Sequence, residues 1–540
     1  MRSTTKLLLA LLCGALWAGC ASEGKEPELK PESRVSSTAD EIALEPSNGR
    51  EAWRTNNYHK AVDFYMSMEL RDQPELLFER GRLLLEVAEF YSALNEFAVP
   101  VKTHLLSVWS SHQENGEMDS PSLNCQLAMD AYARGDYALA ASFREGLGTG
   151  VDPEVIQLGK AAVALGMLKI GQEDRSNTLL DSLIEIAENS PALAFRLYRY
   201  LGEVGQIGLA QKINLSSADK VSTPGISNAV IVDEAWMFLE QGDVHKAWNL
   251  LNTYRPEIPI WQEEINTEED IYSSRTRKIF TLDFIPLFSR IYFLLAREDM
   301  IQVASEEGEM GLQALYYAGL ADYRAGNIKR GIEGLGKFVE RTQNTEDPYL
   351  EYLGAHSRII IAVESSKRGS EKQTGELSNL LSAGDSYRHW AIEALGLYES
   401  SIDAAGSPDS ISIRELTDKL AGVRYNNLSG VDRYYFYEAT LKTALVLLRR
   451  NDDQGDLSRI LLEKIYDKTS AYKVEVEKPA LLLRLAQVYY QYTKVDWGLS
   501  KNIIELMGPQ YPECVPIAYL FAYLQSAAKL DPGGVTQGAQ

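Results

Sequence analysis

The chain has 540 residues, 45% hydrophobic and 24% charged: the length of several ordinary domains or of a repeat array, with too many apolar residues for a disordered chain. Its 54 Lys and Arg against 76 Asp and Glu leave a formal charge of −22, which weighs against a basic, phosphate-neutralising surface for nucleic acid. Four cysteines in such a length exclude a disulfide-built scaffold.

The first twenty residues, MRSTTKLLLALLCGALWAGC, open on Arg2 and Lys6 and continue through an apolar stretch from Leu7 to Ala18. That stretch is too short to cross a hydrocarbon core, which takes about 20 residues, and has the size of a secretory h-region. Ala18-Gly19 stand directly before Cys20. This end resembles a bacterial lipoprotein signal, with Trp17 where that family prefers Leu. The resemblance implies removal of residues 1–19 and lipidation of Cys20. Ala21-Ser22, in place of an Asp after the cysteine, implies by the same resemblance an outer-membrane anchor, facing the periplasm or the cell surface. Residues 20–48 are rich in Glu, Pro and Ser, lack aromatics, and read as a disordered tether.

Beyond the tether, apolar residues recur at spacings of three and four in segments of about 12–18 residues, separated by short Gly, Asp, Asn or Pro breaks. Such segments predict helices stacked as antiparallel pairs. Asn57-Tyr58, Ala61 and Tyr65 read as the second half of a pair. From Pro74, one register takes in Gly81, Leu84, Phe90, Ala93 and Phe97. From Pro121 it takes in Ala128, Ala131, Gly135-Asp136-Tyr137 and Ala140. Over 229–254 it takes in Ala235, Phe238, Gly242-Asp243-Val244, Ala247 and Leu251. Over 312–338 Gly319, Gly326, Ile328, Gly331 and Leu335 fit, with Asp322 where a large apolar residue is expected. Near the C-terminus Pro479, Leu482, Leu485, Ala486, Tyr489, Val495 and Gly498 follow the same order. Small residues at fixed places let two helices approach, large ones fill the space between them, and Gly closes the first helix.

These registers resemble the tetratricopeptide repeat. The fold the resemblance implies is all-α: a TPR-like helical-repeat solenoid of antiparallel helix pairs, preceded by a lipoprotein signal and flexible tether. The first small position of each unit is read at residues 81, 128, 159, 235, 319 and 486, which are not separated by multiples of 34. The expected organisation is therefore N-terminal TPR-like repeats over 49–255, interrupted middle repeats over 256–430, C-terminal TPR-like repeats over 431–530 and a loose tail over 531–540. In this repeat family certain first-helix positions line a concave groove. Carried onto this chain, they imply partner contacts at Arg82 and Glu86, Met129 and Tyr132, Trp236, Leu239 and Glu240, and Tyr323 and Arg324.

No zinc-peptidase His-Glu-x-x-His, nucleophile elbow, phosphate-binding loop or dinucleotide fingerprint occurs among the residues, and the six histidines form no i, i+4 pair. The acidic run Glu263–Asp270 lacks the alternating ligands and central Gly of a calcium loop. No catalytic residue, metal or cofactor is expected. Cys125 and Cys514 would lie far apart in an extended solenoid and stay unbridged. Tyr outnumbers Phe 29 to 14, with clusters at Tyr316-Tyr317, Tyr434-Tyr435-Tyr437 and Tyr489-Tyr490-Tyr492. The expectation is a membrane-anchored, non-catalytic scaffold or adaptor of the bacterial envelope that binds a protein or peptide, with no nucleic-acid partner. The alternatives are a glycan- or small-molecule-binding lipoprotein of the SusD type, whose post-cysteine segment this chain lacks, and a cell-wall-acting enzyme, for which the repeats leave no catalytic domain.

Overall fold

The computed structural model describes residues 46–114, 121–147, 153–213, 228–254, 284–367, 386–402, 410–450, 455–472, 478–492 and 497–521, less a few positions within these spans. Cys20, the leader, nearly all of the tether, the acidic run at 263–270 and the tail at 531–540 lie outside the described residues. Within them there are 21 α-helices and no strand.

Apart from one long helix (Pro74–Glu114), the N-terminal half is built of helix–turn–helix pairs. The helices are α1 (Pro46–Arg54), α2 (Tyr58–Met66), α3 (Pro74–Glu114), α4 (Pro121–Ala133), α5 (Tyr137–Ser142), α6 (Pro153–Lys169), α7 (Glu173–Glu188), α8 (Pro191–Glu203), α9 (Ile207–Ala210), α10 (Asn228–Glu240) and α11 (Val244–Tyr254). Gly135, Gly171, Gly205 and Gly242 end the first helix of four successive pairs at φ between 76° and 84°, the left-handed region where a Cβ is penalised. They fall 36, 34 and 37 residues apart. After two of these turns an Asp caps the next helix: Asp136 accepts from the Leu139 amide at 3.1 Å and Asp243 from the Lys246 amide at 3.1 Å. Ala128, Ala164 and Ala235 stand seven residues before their glycines and Ala140, Ser176 and Ala247 five after, all at 0% exposure. In the second of these pairs the couple is in direct contact, the Ser176 hydroxyl donating to the Ala164 carbonyl. The small position of the second pair is thus Ala164 and not Gly159. Gly159 serves a different contact, since a Cβ there would collide with Cys125 of the preceding pair.

The register expected from Pro74 is not a pair. Residues 74–114 form one helix of 41 residues. At the place of the expected turn stand Ala88-Glu89-Phe90, with no Gly, Asp or Asn to stop the helix. The partner of α3 comes from far along the chain: α12 (Phe284–Val303). A Cβ on Gly81 would lie 2.8 Å from Met300, and the Ser289 hydroxyl donates to the Ala88 carbonyl at 3.0 Å. The same Ser-to-Ala carbonyl bond joins Ser176 to Ala164, Ser458 to Ala444 and Ser500 to Ala486, at 2.7–2.9 Å. In the last of these pairs the buried second-helix residue is Ser500. Gly498, expected in that role, has nothing within 4 Å of its would-be Cβ.

The remaining helices are α13 (Glu309–Arg324), α14 (Ile328–Arg341), α15 (Pro348–Ser366), α16 (Tyr387–Ser401), α17 (Ser410–Gly422), α18 (Gly430–Arg450), α19 (Gly455–Tyr472), α20 (Lys478–Tyr492) and α21 (Trp497–Met507). Gly326 makes the left-handed turn between α13 and α14, with φ 88°. The anomalous Asp322 is 4% exposed and is held by Arg297 at 2.6 Å and by the Asn327 amide at 3.2 Å, so an ion pair stands where an apolar side chain was expected.

One core joins α1–α3, Leu127 of α4, α10–α13, α20, α21 and residues 511–521; a second runs through α13–α20, and a third fills α4–α9. The first core brings the ends together. Tyr511 donates to the Asn56 carbonyl at 2.7 Å, its ring lies 5.6 Å from that of Tyr58, and Phe97 and Phe521 are 5.3 Å apart. Distant segments therefore touch, contrary to the extended array expected. Cys125 and Cys514 are both buried, and neither forms a disulfide.

Candidate functional site

Most of the expected groove residues fall in the cores or in contacts between helices. Tyr132, Leu239 and Tyr323 are 5–6% exposed and belong to the cores; Met129 is half-buried beside Tyr132. The Tyr323 hydroxyl donates to Glu364 at 3.0 Å. Glu86 accepts from Trp53 Nε1 at 2.8 Å and from the Tyr58 hydroxyl, tying α1 and α2 to α3. Arg324 is paired with Glu399 inside the molecule. Tyr132 and Met129 pack within the third core, Leu239 in the first and Tyr323 in the second. Arg82, Trp236 and Glu240 keep substantial surface.

Trp236 sits in a ladder that crosses three helices. The guanidinium carbons of Arg199 (α8) and Arg290 (α12) lie over its ring, 5.6 and 5.3 Å from the centroid. Arg199 and Trp236 each follow the residue seven before the turn glycine, Tyr198 and Ala235, so the two hold the same place in successive pairs. Arg290 also pairs with Glu240 at 3.0 Å, on a surface where 27% and 53% of these side chains stay open. Trp236 Nε1 and Arg290 Nε are buried and have no acceptor among the described residues. Two buried N–H donors without partners are costly, and an acceptor supplied from outside would satisfy them. An indole between two cations is stabilised by its ring quadrupole, and the unpaired Trp236 Nε1 and Arg290 Nε donors suit an acidic or carbonyl-bearing partner. The sequence register singled out Trp236 and Glu240. It missed Arg199 and Arg290, of which only Arg199 carried a signal, its place in the neighbouring pair.

A second polar cluster lies between the first two cores. Glu96 on α3 accepts from Arg449 (α18) at 3.0 Å and from Arg484 (α20) at 2.9 Å. Arg449 also donates to the Tyr398 hydroxyl at 3.1 Å and lies 4.3 Å over that ring. Next to it, fully buried Glu399 takes Arg324 and His356 Nε2, the latter at 3.1 Å, while Tyr316 meets His356 Nδ1 at 2.7 Å. Burial works against both carboxylates, but the arginines (for Glu399 also the His356 hydrogen bond) outweigh it and hold each down at about 2. Carboxyls this acidic stay charged at neutral pH, so they act as fixed ties between helices rather than as proton-transfer groups.

A shallow cleft of about 350 Å³ opens elsewhere, lined by residues that include Thr342, Tyr352, Arg358 and Arg388. Among the described residues no three His, Cys, Asp or Glu side chains are grouped to hold a metal ion, and no helix is long and apolar enough to cross a membrane. No protein-family model matches the chain, and no curated protein matches it.

Proposed function

We propose that the chain is a membrane-anchored, non-catalytic scaffold or adaptor of the bacterial cell envelope, in which TPR-like helix pairs hold a protein or peptide partner. The Arg199–Trp236–Arg290 ladder carries this reading: it repeats one position across successive pairs and leaves two donors without acceptors. Turns spaced by 34 to 37 residues support the tetratricopeptide likeness, whose unit is 34 residues long. The anchor is the acyl chain expected on Cys20, and the outer membrane is its expected address.

The test places a photo-crosslinking residue at Glu240 or, as a control, at Ile460 on α19, which is 45% exposed. The lipidated protein is then irradiated in its native cells. A partner captured from position 240 and lost with Trp236→Ala or Arg290→Ala supports the reading. Equal capture from both positions, or capture indifferent to Trp236→Ala, removes it. The anchor has its own test: Cys20→Ser is expected to abolish acyl labelling and membrane partitioning, and unchanged partitioning refutes it.

A further inference from the structure

Tyrosine clusters that are separate in the sequence meet in the fold. Tyr317 of α13, Tyr349 of α15 and Tyr434 of α18 form a front row beside Phe78 of α3. The Tyr317 and Tyr349 hydroxyl oxygens are 2.8 Å apart, and the Phe78 and Tyr317 rings are 6.2 Å apart. Tyr434 stands edge-on to Tyr349 at 6.3 Å and to Tyr352 at 6.0 Å. Behind this row Tyr316, Tyr352 and Tyr435 are only 3–5% exposed and fix its geometry. Tyr434 is 39% exposed, and Tyr317 and Tyr349 are half-buried, so the front row faces solvent. Partial desolvation raises the Tyr349 and Tyr434 phenols, helped at Tyr349 by Tyr317 and at Tyr434 by Glu438, so both stay neutral hydroxyl donors.

Beside this row stand one cation and one carboxylate. Arg82 on α3 and Glu438 on α18 are both close enough to act electrostatically on Tyr349. Neither makes a hydrogen bond or ion pair with a described residue, nor does the Tyr434 hydroxyl make a hydrogen bond. Rings supply flat area at little entropic cost, and the polar groups supply donors and an acceptor in a small space. A peptide anchored by its side chains needs an apolar hole to fill, whereas this surface offers aromatic rings edged by hydroxyls and two opposite charges. A pyranose has the complementary surface: a C–H face to lie on a ring, and neighbouring hydroxyls that can donate to a carboxylate and accept from a guanidinium.

We propose that Tyr317, Tyr349 and Tyr434, with Arg82 and Glu438 beside them, form a binding surface for a neutral glycan, a sugar ring stacking on Tyr434 while its hydroxyls engage the two charged side chains. The assignment does not depend on the protein partner of the Trp236 ladder.

Affinity electrophoresis and titration calorimetry of the full-length protein test it, with maltohexaose, cellohexaose, mannohexaose, xylohexaose and chitohexaose as probes. At least one is expected to bind. Tyr434→Ala should weaken it about tenfold or more, Tyr434→Phe should restore much of the loss, and Glu438→Gln should weaken it with helicity unchanged. Trp236→Ala should leave it intact. The proposal is overturned by no binding across the five probes, by binding indifferent to Tyr434→Ala, or by a peptide library yielding Tyr434-dependent ligands in place of the sugars.

Discussion

At the scale of single residues, the informative ones are charges taken indoors. Glu399 is 1% exposed and answers Arg324, which is itself held among the Tyr323 and Tyr398 rings. Replacing it by Gln keeps the shape and leaves Arg324 without its counter-charge, which is expected to cost about 3–5 kcal/mol in urea unfolding. The pH dependence follows from the direction of the shifts. Glu96 and Glu399 lie at about 2 in the folded chain, below their ordinary 4.5. Their contribution is complete above about 4.5 and drains away as pH falls toward about 2. Urea midpoints measured from pH 6 to 2.5 should fall over that window, and Glu399→Gln should flatten the fall. A midpoint independent of pH there would show that these carboxyls are not held by their arginines.

At the scale of elements, what the sequence disclosed depended on whether the signal was local. Gly135-Asp136 and Gly242-Asp243 were legible because a left-handed turn followed by a side-chain cap uses neighbouring residues only. From Pro74 small and large residues stand in the places of a pair, but no breaker separates them, so the chain forms a single long helix instead of two. Gly159 was misassigned for a related reason: a small residue shows that something approaches closely, not which helix does. The aromatic and ionic sites were least legible, because Arg290 reaches Trp236, and Tyr434 reaches Tyr349, from helices distant in sequence. Helix α14 offers a matched test of the close-approach argument. A Cβ at Gly331 would sit 2.6 Å from the Tyr323 amide nitrogen of α13, while Gly336 has nothing within 4 Å. Gly331→Ala should destabilise by about 1–3 kcal/mol through overpacking. Gly336→Ala should stabilise by up to about 1 kcal/mol through helix propensity. Thermal unfolding of the two variants checks the contrast, and equal effects would mean that α13 and α14 are not in contact at Gly331.

At the scale of the molecule, the consequence of closure is cooperativity. In a linear array each pair touches only its neighbours, so damage at one end stays there. Here α3 is bound to α12 along much of its length, to α18 and α20 through Glu96, and to residues 511–521 through aromatic contacts. Phe521, 1% exposed, stacks on Tyr490 at 4.9 Å and meets Phe97 at 5.3 Å. Phe521→Ala removes a buried ring from the joint between the two ends, a loss of about 3–5 kcal/mol. If the ends unfold as one body, hydrogen exchange should quicken in α3 and α12 as well as in α20, although α3 and α12 lie hundreds of residues before the substitution. The third core, α4–α9, has its own apolar interior and should exchange at its former rate. Acceleration confined to α20 and α21 would instead mean that the pairs behave as a linear stack and that contacts such as Phe97–Phe521 contribute little to holding the ends together.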